Sequence, residues 1–414
     1  MIPQGAIHEL TITALAYGGE GMGRLPDGRA VFVPYTLPGE RVRARLSQEK
    51  RSYARGRLLE VLAASPDRLA PRCPHFALCG GCHYQHMPYP LQMESKATIL
   101  GELLHRIGRI THPPVEQPIP SPCPWVYRNH IQFHLTPEGK LGFLGHDSQE
   151  VIPIKECHLP EEAIGEIWPL LEIEPLPGLE RVSLRSGAEG EVMVVLESTS
   201  NEAPELRVEG LPVSVVQVSP AGVLTLAGSE FIELEALGRP FRVSAASFFQ
   251  VNTCMAEALI QHILTNVELN NRMTLLEIYC GTGLFSAFLA PRVGRLVGIE
   301  SSPSACEDFM VNLDEVDHVE LYEAPSEMVL PSIDFRPDIL LVDPPRAGLD
   351  HAVLHQVLRL GAPVVVYVSC DPATLARDVR QLREGGYRLE KITPFDFFPQ
   401  TYHIESISIL KRET

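Results

Sequence analysis

Cys370 follows directly on an apolar run in VVVYVSCDP. A cysteine leaving a strand can act as a nucleophile where its thiolate is stabilised. The same placement also suits a small core residue, so the company it keeps decides. Ser369, Asp371 and Pro372 flank it, DILLVDPPRAGL ends another apolar run in Asp343-Pro344-Pro345-Arg346, and HIES places Glu405 in the last strand-like run. In an open α/β sheet, ligands gather at the carboxyl ends of the strands, which is where these residues would stand. The double proline stiffens its loop and removes two backbone donors; a rigid turn capped by aspartate is its other use.

A second group suits a nucleoside. EIYCGTGLF ends a strand-like run in a glycine turn, and Gly281 and Gly283 would let a ligand approach the backbone and the N–H groups of the helix that follows. The next run ends in Glu300, 19 residues past Gly281, placed to accept hydrogen bonds from ribose hydroxyls. A dinucleotide and S-adenosylmethionine both fit such a turn. The third glycine of the dinucleotide pattern is missing, since Phe285 and Ser286 follow Leu284, and this weighs against a dinucleotide.

A third group lies far upstream. Cys73, Cys79 and Cys82 are separated by five and two residues, one thiolate short of a tetrahedral zinc site or a 4Fe-4S cluster. His75, His83 and His86 could complete a zinc site, and Cys123 is one further thiol. The spacing differs from the three-and-two pattern of radical enzymes, which disfavours radical chemistry.

The elements that must hold these groups fall into three stretches. From Phe241, helical patterns (CMAEALIQHILTNV, HAVLHQVLRLG, PATLARDVRQLREGG) alternate with the apolar strands TLLEIY, RLVGIE, DILLVD and VVVYVS, and IESISIL closes the chain. That alternation predicts a parallel α/β sheet over residues 241–414. Residues 63–240 begin with a linker, SPDR, then the cysteine cluster, a helix over YPLQMESKATILGELLHRIG and a six-proline connector, THPPVEQPIPSPCP. Beyond it the pattern is strand-rich, with a hairpin at Pro137-Glu138-Gly139. Residues 1–62 read as short strands between glycine-rich turns, the pattern of a small β-barrel.

The chain has 414 residues, 45% hydrophobic and 21% charged, so it can bury large cores and is not disordered. No apolar run approaches the roughly 18 residues needed to span a bilayer, and MIPQGAIHEL carries no signal-peptide pattern. Nine cysteines without such a signal point to a reducing cytoplasm. The net charge is −17, yet residues 1–62 carry nine basic and six acidic side chains, and Arg41 to Arg57 hold seven basic residues against Glu49 alone. Such a stripe can neutralise phosphates on an acidic protein, because counterion release is local; a solvated strand face is the alternative.

Taken together, SFFQVN, EIYCGTG, VDPPRAGL, VSCDPATLARD and FPQTYHIES resemble the RNA uracil-5-methyltransferases. Residues 1–62 resemble the TRAM domain many of these enzymes carry, CPHFALCGGCHYQH with YPLQ and a lysine resembles their iron–sulfur segment, and WVYRNHIQFHL and KLGFLGH resemble the start of their central domain. The likeness implies a class I, Rossmann-like methyltransferase domain over 241–414, an OB-like TRAM barrel over 1–62, and a β-rich central domain carrying a four-cysteine site. It implies Cys370 as nucleophile and Glu405 as base, with Gln250, Tyr279, Glu300 and Asp343 at cofactor-binding positions. It selects Cys157 as the fourth thiolate over Cys123, and a 4Fe-4S cluster over zinc. The expected product is 5-methyluridine in structured RNA, with rRNA favoured over tRNA, made by a monomeric cytoplasmic enzyme using S-adenosylmethionine. A flipped-out base needs support, and Phe248, Phe249 and the basic stripe are candidates, core packing being the other use of the phenylalanines. Two departures stand out: Leu284 replaces the family's asparagine, and LYEAPSEM offers no clear partner for the adenine end. An RNA-binding or folding protein with little activity is the alternative, against which the intact Cys370 and Glu405 speak; methylation of a small molecule or protein would leave the barrel without a use.

Overall fold

Alternating apolar and polar residues near the N-terminus close into a barrel. In the computed structural model, which describes residues 5–413 apart from 147, 175, 208 and 209, its strands are β1 (Ile7–Leu15), β2 (Glu20–Arg24), β3 (Ala30–Pro34), β4 (Arg41–Glu49) and β5 (Tyr53–Ala63). They pair in the order β1-β2-β3-β5-β4, with β1 returning to β4, around a core of Leu10, Ile12, Val31, Val33, Val42, Ala44 and Leu46. Met1–Gln4 of the expected first segment lie outside the described residues. The SPDR linker is tied down: Arg68 binds the buried Glu40 carboxylate at 2.5 and 2.8 Å and also donates to the Tyr35 carbonyl.

Helix α1 (Tyr89–Arg106) starts at a proline, which suits the first turn of a helix, and buries Gln92, Lys96, Ile99, Leu100 and Leu104. Two of those five are polar because they face backbone and carboxylate rather than apolar core. The proline-rich connector that follows lies along an edge of the last sheet. Glu116 and Ile119 donate to the carbonyls of Ile392 and Pro394, and Ile392 and Asp396 donate back to Pro114 and Ile119. The prolines fit because only the N–H groups between them are needed, and the exposed strand edge is covered.

The central domain is a seven-stranded sheet, β6 (His130–Leu135), β7 (Leu141–Leu144), β8 (Val151–Pro153), β9 (Leu179–Ser186), β10 (Val192–Ser198), β11 (Val213–Ser219) and β12 (Gly222–Ala227), in the order β12-β11-β10-β9-β6-β7-β8. The β6–β7 turn is the expected hairpin, with Gly139 at φ 80°. Helix α2 (Glu162–Ile167) packs on β9 and β10 over a core with Phe133, Val182, Leu184 and Val194. The expected break at 240/241 falls inside a second hairpin, β13 (Phe231–Ala236) and β14 (Arg239–Ser244), whose buried face joins the C-terminal core.

That core surrounds the last sheet. Strands β15 (Thr274–Ile278), β16 (Arg295–Glu300), β17 (Val319–Glu323), β18 (Ile339–Val342) and β19 (Val364–Ser369) run parallel in the order β17-β16-β15-β18-β19. Helices α3 (Thr253–Asn266), α4 (Ser286–Leu289), α5 (Pro303–Asn312), α6 (Ser326–Val329), α7 (His351–Leu360) and α8 (Pro372–Glu384) precede or link them. Strand β20 (Tyr387–Phe395) forms the edge, and β21 (Glu405–Arg412) inserts antiparallel between β19 and β20. The strands read as unbroken apolar runs because helices cover both faces. Asn252, Ser302, Asp350 and Asp371 cap four of the helices through their side chains.

The loop from Asp396 to Ile404 is buried and is held by α1. Lys96 Nζ donates to Asp396 Oδ1 at 2.5 Å and to the Phe398 carbonyl, while Gln92 and Gln400 exchange hydrogen bonds at 3.0 Å. Removing one partner of a buried ion pair strands the other charge. Lys96→Ala is therefore expected to destabilise the fold by about 3–5 kcal/mol in urea unfolding. A loss below about 1 kcal/mol would mean that Asp396 is not isolated from water.

Candidate active site

The register of β19 and β21 sets the centre of the site. Ser369 pairs with Ser406, so Cys370 and Glu405 are the next residues opposite one another. Asp343 ends β18 alongside. All three line one cavity of about 550 Å³ at the carboxyl edge of the parallel strands. Burial pushes the Cys370 thiol up to about 12, with Glu405 and Asp343 adding to the rise and Arg346 opposing it. Burial raises Asp343 to about 7 and Glu405 well above the usual carboxylate range, Asp343 adding to the latter and Arg346 again opposing. Like-signed groups so close cannot all ionise in a dry pocket. Arg346 is the nearby cation, and burial holds His403 neutral, down to about 3, with Arg346 next in effect. Neither Arg346 nor His403 is singled out by residue type alone, although both lie within the quoted DPPR and HIES stretches.

The remaining wall belongs to the nucleoside group. Gln250, Tyr279, Gly281 and Glu300 all line the same cavity. Tyr279 leaves β15 with φ 66°, a backbone state uncommon for a side chain of its size and one that re-aims the chain into the turn. Gly281 has φ +54°, and nothing lies within 4 Å of where a Cβ would stand, so its backbone is open to a ligand. The Glu300 carboxylate accepts from Gly281 N at 3.0 Å, Ser301 N at 2.7 Å and Ser302 N at 2.8 Å, which fixes it at the strand end. Beneath the turn, Ser286 Oγ donates to the buried Glu277 at 2.5 Å. An open glycine cradle beside an oriented carboxylate fits S-adenosylmethionine.

Gly283 departs from expectation. It lies outside the lining, and a Cβ there would meet Leu313 Cδ1 at 2.4 Å, so its φ of +88° serves close packing of the turn on α5. Leu284 lines the cavity as an apolar wall, and no residue of LYEAPSEM does so. The phenylalanines divide. Phe249 is buried against Phe241 and also lines this cavity, whereas Phe248 is 67% exposed and stands between it and a second one of about 540 Å³ over β9 and β10.

Cys73, Cys79, Cys82 and Cys157 line a separate cavity of about 280 Å³, together with His75. His83, His86 and Cys123 do not reach it; Cys123 is exposed and lies near Cys254 instead. Arg128 Nε is sealed from solvent beside this cavity without a hydrogen-bond partner, and its guanidinium faces the thiols of Cys82 and Cys157. Among the described residues no group of three His, Cys, Asp or Glu side chains is set to hold a metal ion, so the metal site expected at Cys73, Cys79, Cys82 and Cys157 is not formed in the structure. Four thiols lining one space, beside a guanidinium that also meets Tyr127, are the donor chemistry a multi-iron cluster would draw on.

On the barrel, Arg43 is occupied by Glu9 and Glu60, and Arg55 by Glu20. Arg45 and Arg57 face each other across β4 and β5 on the exposed side. Like charges directly opposite are destabilising, and an anion between them would relieve this. Among the described residues no helix is long and apolar enough to cross a membrane.

Comparison with known proteins agrees with this arrangement. A family model described as tRNA (uracil-5-)-methyltransferase matches residues 201–413, and the TRAM domain matches residues 4–59. An uncharacterized RNA methyltransferase of Halalkalibacterium halodurans is 36% identical over 97% of this chain and 96% of its own, and one of Streptomyces avermitilis is 33% identical over 98% of each. The crystal structure of Pyrococcus abyssi tRNA (uracil-54, C5)-methyltransferase with S-adenosyl-L-homocysteine superposes with a TM-score of 0.76 at 26% identity, covering 97% of this chain and all of that one. With a TRAM barrel, a Rossmann-like α/β domain and an S-adenosylmethionine-type cradle in one molecule, the chain belongs to the RNA uracil-5-methyltransferase family.

Proposed function

We propose that this protein forms 5-methyluridine in structured RNA, with Cys370 as nucleophile and Glu405 as base. The observation that carries the reading is the convergence of Cys370, Glu405 and Asp343 on the cavity that also holds Gly281 and Glu300. Carbon 5 of uracil is too weak a nucleophile to be methylated unaided. Addition of the Cys370 thiolate at carbon 6 turns the ring into an enolate that is nucleophilic at carbon 5. S-adenosylmethionine, when bound, supplies a methyl group on a sulfonium cation. Glu405 then takes the proton from carbon 5, the carbon 5–carbon 6 double bond re-forms, and Cys370 leaves as thiolate. Glu405 must enter this step ionised, and a carboxyl held high then keeps the proton firmly; Arg346 stands where it favours both that carboxylate and the thiolate.

The barrel, with Arg45 and Arg57 outward, and Phe248 at the mouth of the cavity are the parts offered to RNA. We assign the target to 23S rRNA on the combination of barrel and cysteine segment. The tRNA reading is favoured by a specific observation, since the Pyrococcus abyssi tRNA enzyme matches this chain along its full length. The four thiols would hold a 4Fe-4S cluster that braces the central domain in a cytoplasmic enzyme.

Nucleoside mass spectrometry tests the reaction: RNA lacking 5-methyluridine is incubated with enzyme and methyl-labelled S-adenosylmethionine, and rRNA and tRNA are analysed apart. Label in rRNA is expected; label confined to tRNA would replace the substrate assignment, and label in neither would leave an RNA-binding protein. In the same assay Cys370→Ala is expected to abolish turnover while keeping cofactor binding, and Glu405→Gln to trap a covalent RNA adduct on denaturing gels. A freely dissociating Glu405→Gln complex would remove the base assignment.

The raised Asp343 sets a pH dependence. Below about 7 it is protonated in the unliganded protein, so a sulfonium can meet its charge only after the proton leaves. S-adenosylmethionine affinity is expected to rise by up to about tenfold per pH unit toward 7 and to level off above it, with a shallower slope for the uncharged sulfur of S-adenosylhomocysteine. Equal slopes by calorimetry would place the sulfonium away from Asp343. In the unliganded protein the same shift costs stability as pH climbs from the ordinary carboxyl range toward 7, because the unfolded chain ionises there first. For the thiol cavity, Cys157→Ser is expected to lower iron in anaerobically purified protein, while Cys123→Ser leaves it unchanged; the reverse would exchange the two.

A further inference from the structure

The turn between β1 and β2 leaves the barrel and touches both loops that carry the proposed reacting residues. Tyr17 Oη donates to Asp371 Oδ2 at 2.8 Å, across 354 residues of sequence. Asp371 directly follows Cys370. Its other oxygen, Oδ1, accepts from Ala373 N and Thr374 N at 2.9 Å each and so caps α8. Its main chain is locked to Ser369, whose Oγ accepts from Asp371 N at 3.2 Å and donates to Asp371 O at 3.0 Å. Cys370 is thus the middle residue of a short clasp, and the barrel supplies its outer fastening. On the other side the Tyr17 ring packs edge-on against Tyr402 at 5.6 Å, and Tyr402 lies on His403 at 4.4 Å, two residues before Glu405. The fit is close: a Cβ on Gly19 would stand 3.0 Å from His83 Cβ and 3.3 Å from Tyr402 Cβ.

We propose that Tyr17 is a positioning residue for the methyl-transfer reaction, holding the Cys370 loop through Asp371 and the approach to Glu405 through Tyr402. The barrel then does more than grip RNA, because it completes the geometry of a site to which it contributes no reacting group. A hydroxyl bound to a carboxylate makes a strong, directional link, and misplacement of a nucleophile by a fraction of an ångström is enough to slow its attack. The inference rests on the assignment of Cys370 and Glu405 made above.

The test is Tyr17→Phe in the full chain, which keeps the ring on Tyr402 and removes only the hydroxyl. Single-turnover methylation at saturating RNA is expected to slow by about tenfold, with KM for RNA and for S-adenosylmethionine unchanged. Asp371→Ser keeps a capping hydroxyl but cannot reach Tyr17, so adding Tyr17→Phe to it is expected to cost nothing further. Hydrogen exchange of the amides at 370–374 is expected to speed up in Tyr17→Phe. An unchanged rate with unchanged exchange overturns the proposal. So does a raised KM for RNA at an unchanged saturated rate, which would make Tyr17 an RNA contact, and so does full additivity with Asp371→Ser. If the unsubstituted protein forms no 5-methyluridine, the functional reading fails by itself, and the exchange measurement still decides whether Tyr17 holds the loop.

Discussion

The antiparallel insertion of β21 beside β19 is the constraint from which the rest of the site follows. A parallel sheet brings only strand ends of one polarity to its carboxyl edge. One reversed strand adds a strand start, and the Ser369–Ser406 register makes the residue after β19 and the first residue of β21 direct neighbours. Cys370 and Glu405 are thereby set side by side. The arrangement is costly on its own, since burial and mutual repulsion raise Cys370, Glu405 and Asp343 together. Nothing in that trio holds itself in place. The frame around it must.

That frame comes from the N-terminal half of the chain. Gln400 sits at φ 67°, a strained state that persists only where its surroundings over-determine it. Here they do: its carbonyl accepts from His83 N and Tyr84 N, and its amide and side chain bond Gln92. Lys96 holds Asp396 and the Phe398 carbonyl, and Tyr127 Oη reaches the Pro399 carbonyl. The cysteine segment, α1, the connector and the central domain therefore converge on the loop that delivers Glu405. His83 directly follows Cys82, so bracing of the thiol cavity and bracing of this loop share one stretch of backbone.

What could be read from sequence divides along physical lines. Apolar runs and helical periodicity are local, and the strands at TLLEIY, RLVGIE, DILLVD and VVVYVS and the helices α3, α7 and α8 stand where the pattern predicts, whereas the short α4, α5 and α6 carry no such signal. The glycine turn, Glu300 and Asp343 were legible because strand ends of a parallel sheet share an edge. Strand β17 was not, since VELYE is half polar at the sheet margin, nor was β20, whose edge the connector covers. Gly283 has the spacing of a ligand-binding glycine, and only its closeness to Leu313 and Phe309 reveals a packing role. Lys96 and Tyr17 act across 300 and 354 residues, a reach that no periodicity encodes. Phe248 and Phe249 differ only in which side of the chain faces the core.

The same pKa shifts reconcile an acidic protein with an anionic substrate. A net charge of −17 would repel phosphates if it were spread evenly, but at the cavity the raised Cys370, Glu405 and Asp343 carry less than their full charge before a ligand arrives. Arg346 is a cation on the lining that also carries the Glu300 carboxylate, and the barrel adds Arg45 and Arg57. On the proposed reading RNA meets a locally cationic rim. On that reading further negative charge develops in the pocket when a sulfonium enters beside Asp343 and the thiol of Cys370 ionises near Arg346. Desolvation, which makes the trio expensive, thus also keeps it from repelling the polymer on which it acts.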